Sequence, residues 1–379
     1  MSDAHPADVL IVGGGIAGVT TATALRALGY AGKITLIESE PRCTDHPPLS
    51  KRALVTGCDR EELDLLAAES ASELDIRIVS GCAAIRVDAT AGQVELADGS
   101  IWSAAAIVVA IGAEPNRPVA VDNPNVVTLR GYDDAMRIRA AAGRGRTVLV
   151  WGSGFVGAEV TASLAALETR VVLVDPHERP GSHVLGETLA GWLHDMHAAH
   201  GVDVRQTRVE AIADDESRDG LMVALADGTN VVADLVVAGV GVTPRVLPGA
   251  EKLMLPRGLR ILPDAHWEAA RFDGQAAAAR LLGQEPSPRG AAWYWTDRYD
   301  HHIEVVGDLV GTGRSGSAVD VLRAGSAVFR VDGDIMLGAA SIDDPMTVRA
   351  ARRIIDRQMR VDARALADPS RSLRQMLRK

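Results

Sequence analysis

Two glycine-rich hexapeptides carry the clearest chemistry in this 379-residue chain: Gly13-Gly14-Gly15-Ile16-Ala17-Gly18 and Gly152-Ser153-Gly154-Phe155-Val156-Gly157. Both have the spacing G-x-G-x-x-G. The first glycine permits a tight turn, the second admits a pyrophosphate against the backbone, and the third lets a helix pack closely on a strand. The flanks of each fit such a turn. VLIV (9–12) precedes the first, a segment with apolar residues at helical spacing follows, and KITLIE ends at Glu38. RTVLVW precedes the second, AEVTASLAALE follows, and RVVLVD ends at Asp175. The helix N-terminus offers free N–H groups and a positive dipole end to phosphate. The acid closing the second strand accepts hydrogen bonds from ribose hydroxyls. Strand, turn, helix, strand and acid in register make each motif a strong dinucleotide signal, where the glycines alone are a weak one. Asp175 suits the 2′-hydroxyl of NADH and repels the 2′-phosphate of NADPH, although Arg179 is near enough to blur that preference. Glu159, two residues past Gly157, reads either as a site residue or as a carboxylate favoured by the dipole in the helix's first turn.

The elements that must position these turns form an internal repeat. Residues 94–117 and 223–245 each read as strand, Asp-Gly turn, strand, and a buried apolar strand closing on a glycine, Gly112 in the first copy. Two similar folds are therefore expected, one inserted in the other. The fold class is α/β, with two Rossmann-like dinucleotide-binding domains and a small C-terminal α+β domain. The first domain is discontinuous, 1–117 and 245–290; the inserted domain is 118–244; the last is 291–379. In the last, AVFRVDGDIMLGAASID alternates around a turn, and MTVRAARRIIDRQM reads as a basic amphipathic helix.

Composition narrows the function further. A formal net charge of −10 argues against general nucleic-acid binding, which needs surplus cations to neutralise phosphates. No apolar run reaches the roughly 18 residues of a membrane span, and no secretory signal is seen, so a cytoplasmic location is expected. Cys43, Cys58 and Cys82 make no CxxC pair, which excludes a disulfide framework and leaves little room for a redox dithiol. Arg42 and His46 beside Cys43 could lower its thiol pKa; the plainer reading is an inert thiol. His301-His302 reads as a surface pair, without further ligands at metal spacing, so no metal site is expected. Late arginines, among them Arg349, Arg352, Arg353, Arg357 and Arg360, read as a solvated helix face or as a docking surface for an acidic partner.

Finer marks link the chain to a family. His46-Pro47-Pro48-Leu49-Ser50-Lys51, the Gly152 turn running on to Ala158-Glu159, LRGYDDAMRIRAA (129–141), His266-Trp267 and Trp295-Thr296-Asp297-Arg298-Tyr299-Asp300 all fit. Together with the two turns they resemble the pyridine nucleotide–disulfide oxidoreductase superfamily, and within it the ferredoxin reductases of bacterial oxygenase systems. The resemblance covers nearly the whole chain. It implies FAD on the first domain and NADH on the inserted one. Hydride would pass from NADH to the flavin N5, and single electrons to a [2Fe-2S] ferredoxin, from a monomer or homodimer. It also implies Lys51 at the flavin ring, Glu159 near the nicotinamide and Trp295 near the flavin; Trp267 and Trp293 fall in the same region. The cofactor supplies the chemistry, and the protein supplies position and electrostatics.

Two departures stand out. His46 replaces the arginine that usually precedes PPLSK, exchanging a charged fork for one neutral donor. Between Arg245 and His266 the chain has no Gly-Asp pair of the kind that ends a buried strand and holds the FAD ribityl chain, although GLRI (258–261) could be an edge strand. Gly307-Asp308 lies too late to substitute. Three origins fit: a segment absent from this sequence, a naturally shortened chain that binds FAD differently, or a flavin-free NADH-binding partner or sensor protein.

Overall fold

The computed structural model describes residues 5–118, 123–215, 220–250, 266–323 and 325–377. The chain divides into two compact units: 1–48, 58–114 and 242–289 in the first, and 49–57, 115–241 and 290–379 in the second. The short stretch Leu49–Gly57, which carries Lys51, thus belongs with the second unit. GLRI (258–261) and residues 251–265 of the stretch between Arg245 and His266 lie outside the described residues.

In the first unit, a parallel sheet has the strand order Ile76–Ser80, Lys33–Glu38, Asp8–Val12, Ala106–Val109. Alternation along Asp8–Val12 sends side chains to both faces, and both are buried. Val9 and Ile11 join Val19, Ala22 and Leu25 of helix Ile16–Ala27, with Ala277, Ala278 and Leu281 of helix Trp267–Leu281. Leu10 and Val12 face the other way, onto Val87, Val94 and Leu96 of a three-stranded antiparallel sheet. The two helices approach closely at Gly274, where an added Cβ would stand 2.4 Å from the Ala17 carbonyl oxygen.

The second unit repeats this plan. Its parallel sheet runs Asp203–Gln206, Arg170–Asp175, Thr147–Trp151, Leu235–Ala238, Val126–Val127, and the antiparallel strands Val209–Asp214, Leu221–Leu225 and Asn230–Ala233 form a sheet beside it. The expected Asp-Gly turns are present in both copies, with Gly99 and Gly228 at φ 82 and 83. In the C-terminal part, an antiparallel sheet orders Trp293–Arg298, His301–Gly307, Ile335–Ile342, Ala327–Asp332, Val319–Arg323. Helix Pro345–Asp356 buries Val348, Ala351 and Ile354 at helical spacing and leaves Arg349 and Arg353 in solvent. Gly307-Asp308 closes a strand of this antiparallel sheet, and Asp308 Oδ1 caps the turn after it by accepting from Val310 N and Gly311 N.

Gly274→Val should lower stability by about 1–3 kcal/mol, the usual cost of overpacking a close contact. Thermal unfolding checks this; an unchanged midpoint would mean that helices Ile16–Ala27 and Trp267–Leu281 are not in such close contact.

Candidate active site

Both glycine turns have the same construction. Gly13 and Gly152 take φ 107 and 99, in the region that favours glycine. A Cβ on Gly18 would fall 1.8 Å from the Gly13 carbonyl oxygen, and one on Gly157 would fall 1.9 Å from that of Gly152. The third glycine is therefore demanded by the protein's own packing. The second is not, because among the described residues an added Cβ on Gly15 or Gly154 would meet no atom within 4 Å. These open positions, each at the start of a helix, form the cradle that a dinucleotide pyrophosphate fits.

The strand-end acids hold the turns together. Glu38 Oε2 accepts from Gly14 N, and its Oε1 accepts from Glu40 N at 2.8 Å. Asp175 Oδ2 accepts from Ser153 N at 2.8 Å, and its Oδ1 accepts from His177 N at 2.9 Å. Ser39 Oγ also donates to Glu38 Oε1 at 3.0 Å and His177 Nδ1 lies 2.9 Å from Asp175 Oδ1, so of about four lone-pair sites each carboxylate keeps about one for a ribose hydroxyl. Arg179 pairs with Glu187 at 3.6 Å, an exposed contact. Gly112, at φ 66, lies at the link to the second repeat, where its carbonyl accepts from Arg245 N.

Lys51, Glu159 and Trp295 come together in the second unit. Lys51 Nζ lies 3.4 Å from Glu159 Oε1 and 2.9 Å from Asp297 Oδ2, and 5.4 Å from the Trp295 ring centroid. Glu159 is 6% exposed. It accepts from Ser50 Oγ at 2.5 Å and from Thr296 Oγ1 at 2.7 Å. It stands beyond the helix's first turn, which holds no acid, so side chains rather than the helix terminus keep it in place, a correction to the dipole reading. Beside it, burial pushes the Arg298 pKa down to about 10 while Glu159 opposes the shift.

Asp297, His302 and Glu304 extend this cluster, and sequence reasoning missed their roles. Antiparallel pairing sets Asp297 opposite His302 and Trp295 opposite Glu304, so the alternating residues of W-x-W-x-D and H-x-E share one face. The pair His301-His302 is thus not idle: His302 Nδ1 lies 2.5 Å from Asp297 Oδ1, and His301 Nδ1 lies 2.6 Å from Asp343 Oδ2. The signal was the period-2 alternation; what it lacked was the register. Among the described residues, no group of three or more His, Cys, Asp or Glu could hold a metal ion.

Cys43 and the tryptophans have these surroundings. Cys43 is 2% exposed, and its pKa is pushed up to about 12 by burial and by the Glu38 and Asp64 carboxylates. Arg42 does not activate it, being held by Asp64 and Glu61. Trp293 stacks on Trp295 at 4.9 Å, whereas Trp267 belongs to the first unit and donates to Asp45 Oδ1 at 2.8 Å.

Two glycine cradles, each on its own parallel sheet and each closed by an acid, define an α/β scaffold for two dinucleotides. The pyridine nucleotide-disulphide oxidoreductase model matches residues 7–270, and a reductase C-terminal model matches residues 293–377. The chain belongs to the pyridine nucleotide-disulphide oxidoreductase family. It is 29% identical to the ferredoxin–NAD(+) reductase component of the p-cumate 2,3-dioxygenase system of Pseudomonas putida, over 97% of each chain. It is 30% identical to the ferredoxin–NAD(+) reductase subunit of the benzene 1,2-dioxygenase system of the same organism, over 98% of this chain and 97% of the relative. Among solved structures it matches the covalent putidaredoxin reductase–putidaredoxin complex, with a TM-score of 0.88 and 26% identity over 98% of each chain. A ferredoxin reductase from Rhodopseudomonas palustris matches with a TM-score of 0.87 and 27% identity, over 98% of this chain and 99% of the other.

Because no described residue packs at its Cβ position, Gly154→Ala should cost about 1 kcal/mol of stability or less, a helix N-cap effect. It should nonetheless weaken NADH binding at least about tenfold, or 1.4 kcal/mol, by blocking backbone approach. Titration of NADH binding beside thermal unfolding separates the two effects; undiminished affinity would remove Gly154 from the cradle.

Proposed function

We propose that the chain is an NADH-dependent, FAD-containing reductase that delivers electrons to a [2Fe-2S] ferredoxin. The observation that carries this reading is the duplicated cradle: Gly15 with Glu38, and Gly154 with Asp175, each pair built alike and each open at the second glycine. The relatives named as ferredoxin reductases support it over the full length, and the putidaredoxin reductase–putidaredoxin complex supports an iron–sulfur protein as acceptor. Retention of the first cradle favours the reductase over the flavin-free reading.

In this reading Gly13, Gly15, Gly18, Glu38 and Gly112 hold FAD, and Gly152, Gly154, Gly157 and Asp175 hold NADH. FAD, when bound, supplies the exchange between hydride and single-electron chemistry. Lys51 would supply positive charge to the flavin ring, which favours electron density there. Glu159, paired with Lys51 at 3.4 Å, would serve the nicotinamide, and Trp295, whose ring faces Lys51, would serve the flavin. Among the described residues no helix is long and apolar enough to cross a membrane. A compartment that supplies NADH, the cytoplasm, is the location this reading implies.

The test is the visible spectrum of the purified protein before and after anaerobic NADH. Flavin bands that bleach are expected; a colourless protein after reconstitution with FAD would refute the reading. Lys51→Ala should then slow flavin reduction at least about tenfold, equivalent to 1.36 kcal/mol of barrier, with NADH affinity little changed. Equal reduction rates in mutant and parent would take Lys51 out of the reaction.

A further inference from the structure

Lys51 belongs to a closed ring of contacts. Its ammonium meets Asp297 Oδ2, and the other oxygen of that carboxylate meets His302 Nδ1 at 2.5 Å. His302 Nε2 lies 3.1 Å from Glu304 Oε1, and Glu304 Oε2 accepts from Trp293 Nε1 at 2.9 Å. Trp293 stacks on Trp295, whose ring faces Lys51. The imidazole therefore has a carboxylate at each nitrogen. A neutral imidazole has one donor and one acceptor nitrogen, so it would turn a lone pair toward one of the two carboxylates; only the imidazolium donates to both.

We propose that His302 is a positioning residue for the reductase: its imidazolium draws Asp297 into place against Lys51, and loss of its proton loosens that hold. The inference rests on the reading that Lys51 serves the flavin. Asp343 also neighbours His302, accepting from its backbone N–H at 2.8 Å, and is itself paired with His301. Burial acts to lower the His302 pKa, but the hydrogen bonds to Asp297 and Glu304 outweigh it, and the net direction is upward. Asp297 moves down: burial opposes ionisation, and His302 and Lys51 more than offset it. A raised histidine contributes its interaction fully below the ordinary value of about 6.5, and the contribution is lost as pH rises through its higher folded value. Above that value the cluster also carries one more net negative charge, which opposes negative charge arriving on a cofactor beside Lys51.

The chain has four lysines, Lys33, Lys51, Lys252 and Lys379, so a protein labelled with carbon-13 at the lysine Cε gives a readable spectrum that needs no flavin. The Lys51 resonance, assigned by its loss in Lys51→Ala, should move between pH 5.5 and 8.5 with the midpoint of the His302 ring signals. It should stay still in His302→Gln. Asp297→Asn should lower the His302 midpoint, because the opposite charge that raises it is gone. In stopped-flow work, flavin reduction by NADH should fall at least about threefold across that midpoint, the equivalent of half a pKa unit of interaction. His302→Gln should be flat at the slow level, and His302→Lys, with its fixed charge, flat near the fast level. A Lys51 signal indifferent to pH, or identical in His302→Gln, overturns the proposal. So does a rate that keeps its pH dependence in His302→Gln. A Lys51 signal that follows His302 in a protein unable to hold FAD supports the linkage and overturns the reductase reading alone.

Discussion

A carboxylate taken out of water must be met by charge or by hydrogen bonds, because an unmatched buried ion costs several kcal/mol even after the protein relaxes. Glu159 places that demand at the centre of the second unit. Ser50, Thr296 and Lys51 answer it, from segments more than a hundred residues away in either direction. Ser163, one turn along the same helix, donates to the Ser50 carbonyl and fixes the approach of that segment. Helix Phe155–Ala166, the Leu49–Gly57 stretch and the hairpin 293–307 are held in one arrangement by these bonds. Breaking one would leave a buried acceptor short of a partner, and losing Lys51 would leave hydroxyls alone against a buried charge.

The same economy appears in the glycine turns. In each, the third glycine is set by how closely helix and strand approach, and the strand-end acid is bonded to the turn's second N–H. What the protein itself does not need is a second residue without a side chain. Yet both turns have one, and a ligand that must reach the backbone explains it. Selection for the fold alone would leave Gly15 and Gly154 free to vary.

Around Lys51 the electrostatics are graded by exposure. Glu159 and Arg298 are buried, while the Asp297 and His302 side chains are 37% and 43% exposed. Water therefore screens the outer part of the ring more than the inner part. His302 stands between this outer part and buried Glu304, and the effect of its proton reaches Lys51 through one carboxylate, Asp297. Cys43 shows the opposite case, a buried thiol facing carboxylates and held in its protonated form.

By itself, the sequence determined the two strand–turn–helix–strand units, the acids Glu38 and Asp175, the Asp-Gly repeat and the family, because each rests on local spacing of residue types along one stretch of chain. Resemblance, rather than any local pattern, singled out Lys51 and Trp295. Only the tertiary structure decided what surrounds them. Asp297 and His302 are five residues apart, yet they face each other because a turn at Tyr299-Asp300, both at positive φ, sets the register of the hairpin. The sequence left Glu159 open between a site residue and a helix-end acid, which Ser50 and Thr296 at its oxygens decide. Cys43 is inert as its plainer reading had it, for a reason, burial beside Glu38, that the neighbouring Arg42 and His46 did not show. A pKa or a partner depends on distances across elements, and no spacing along one element encodes them.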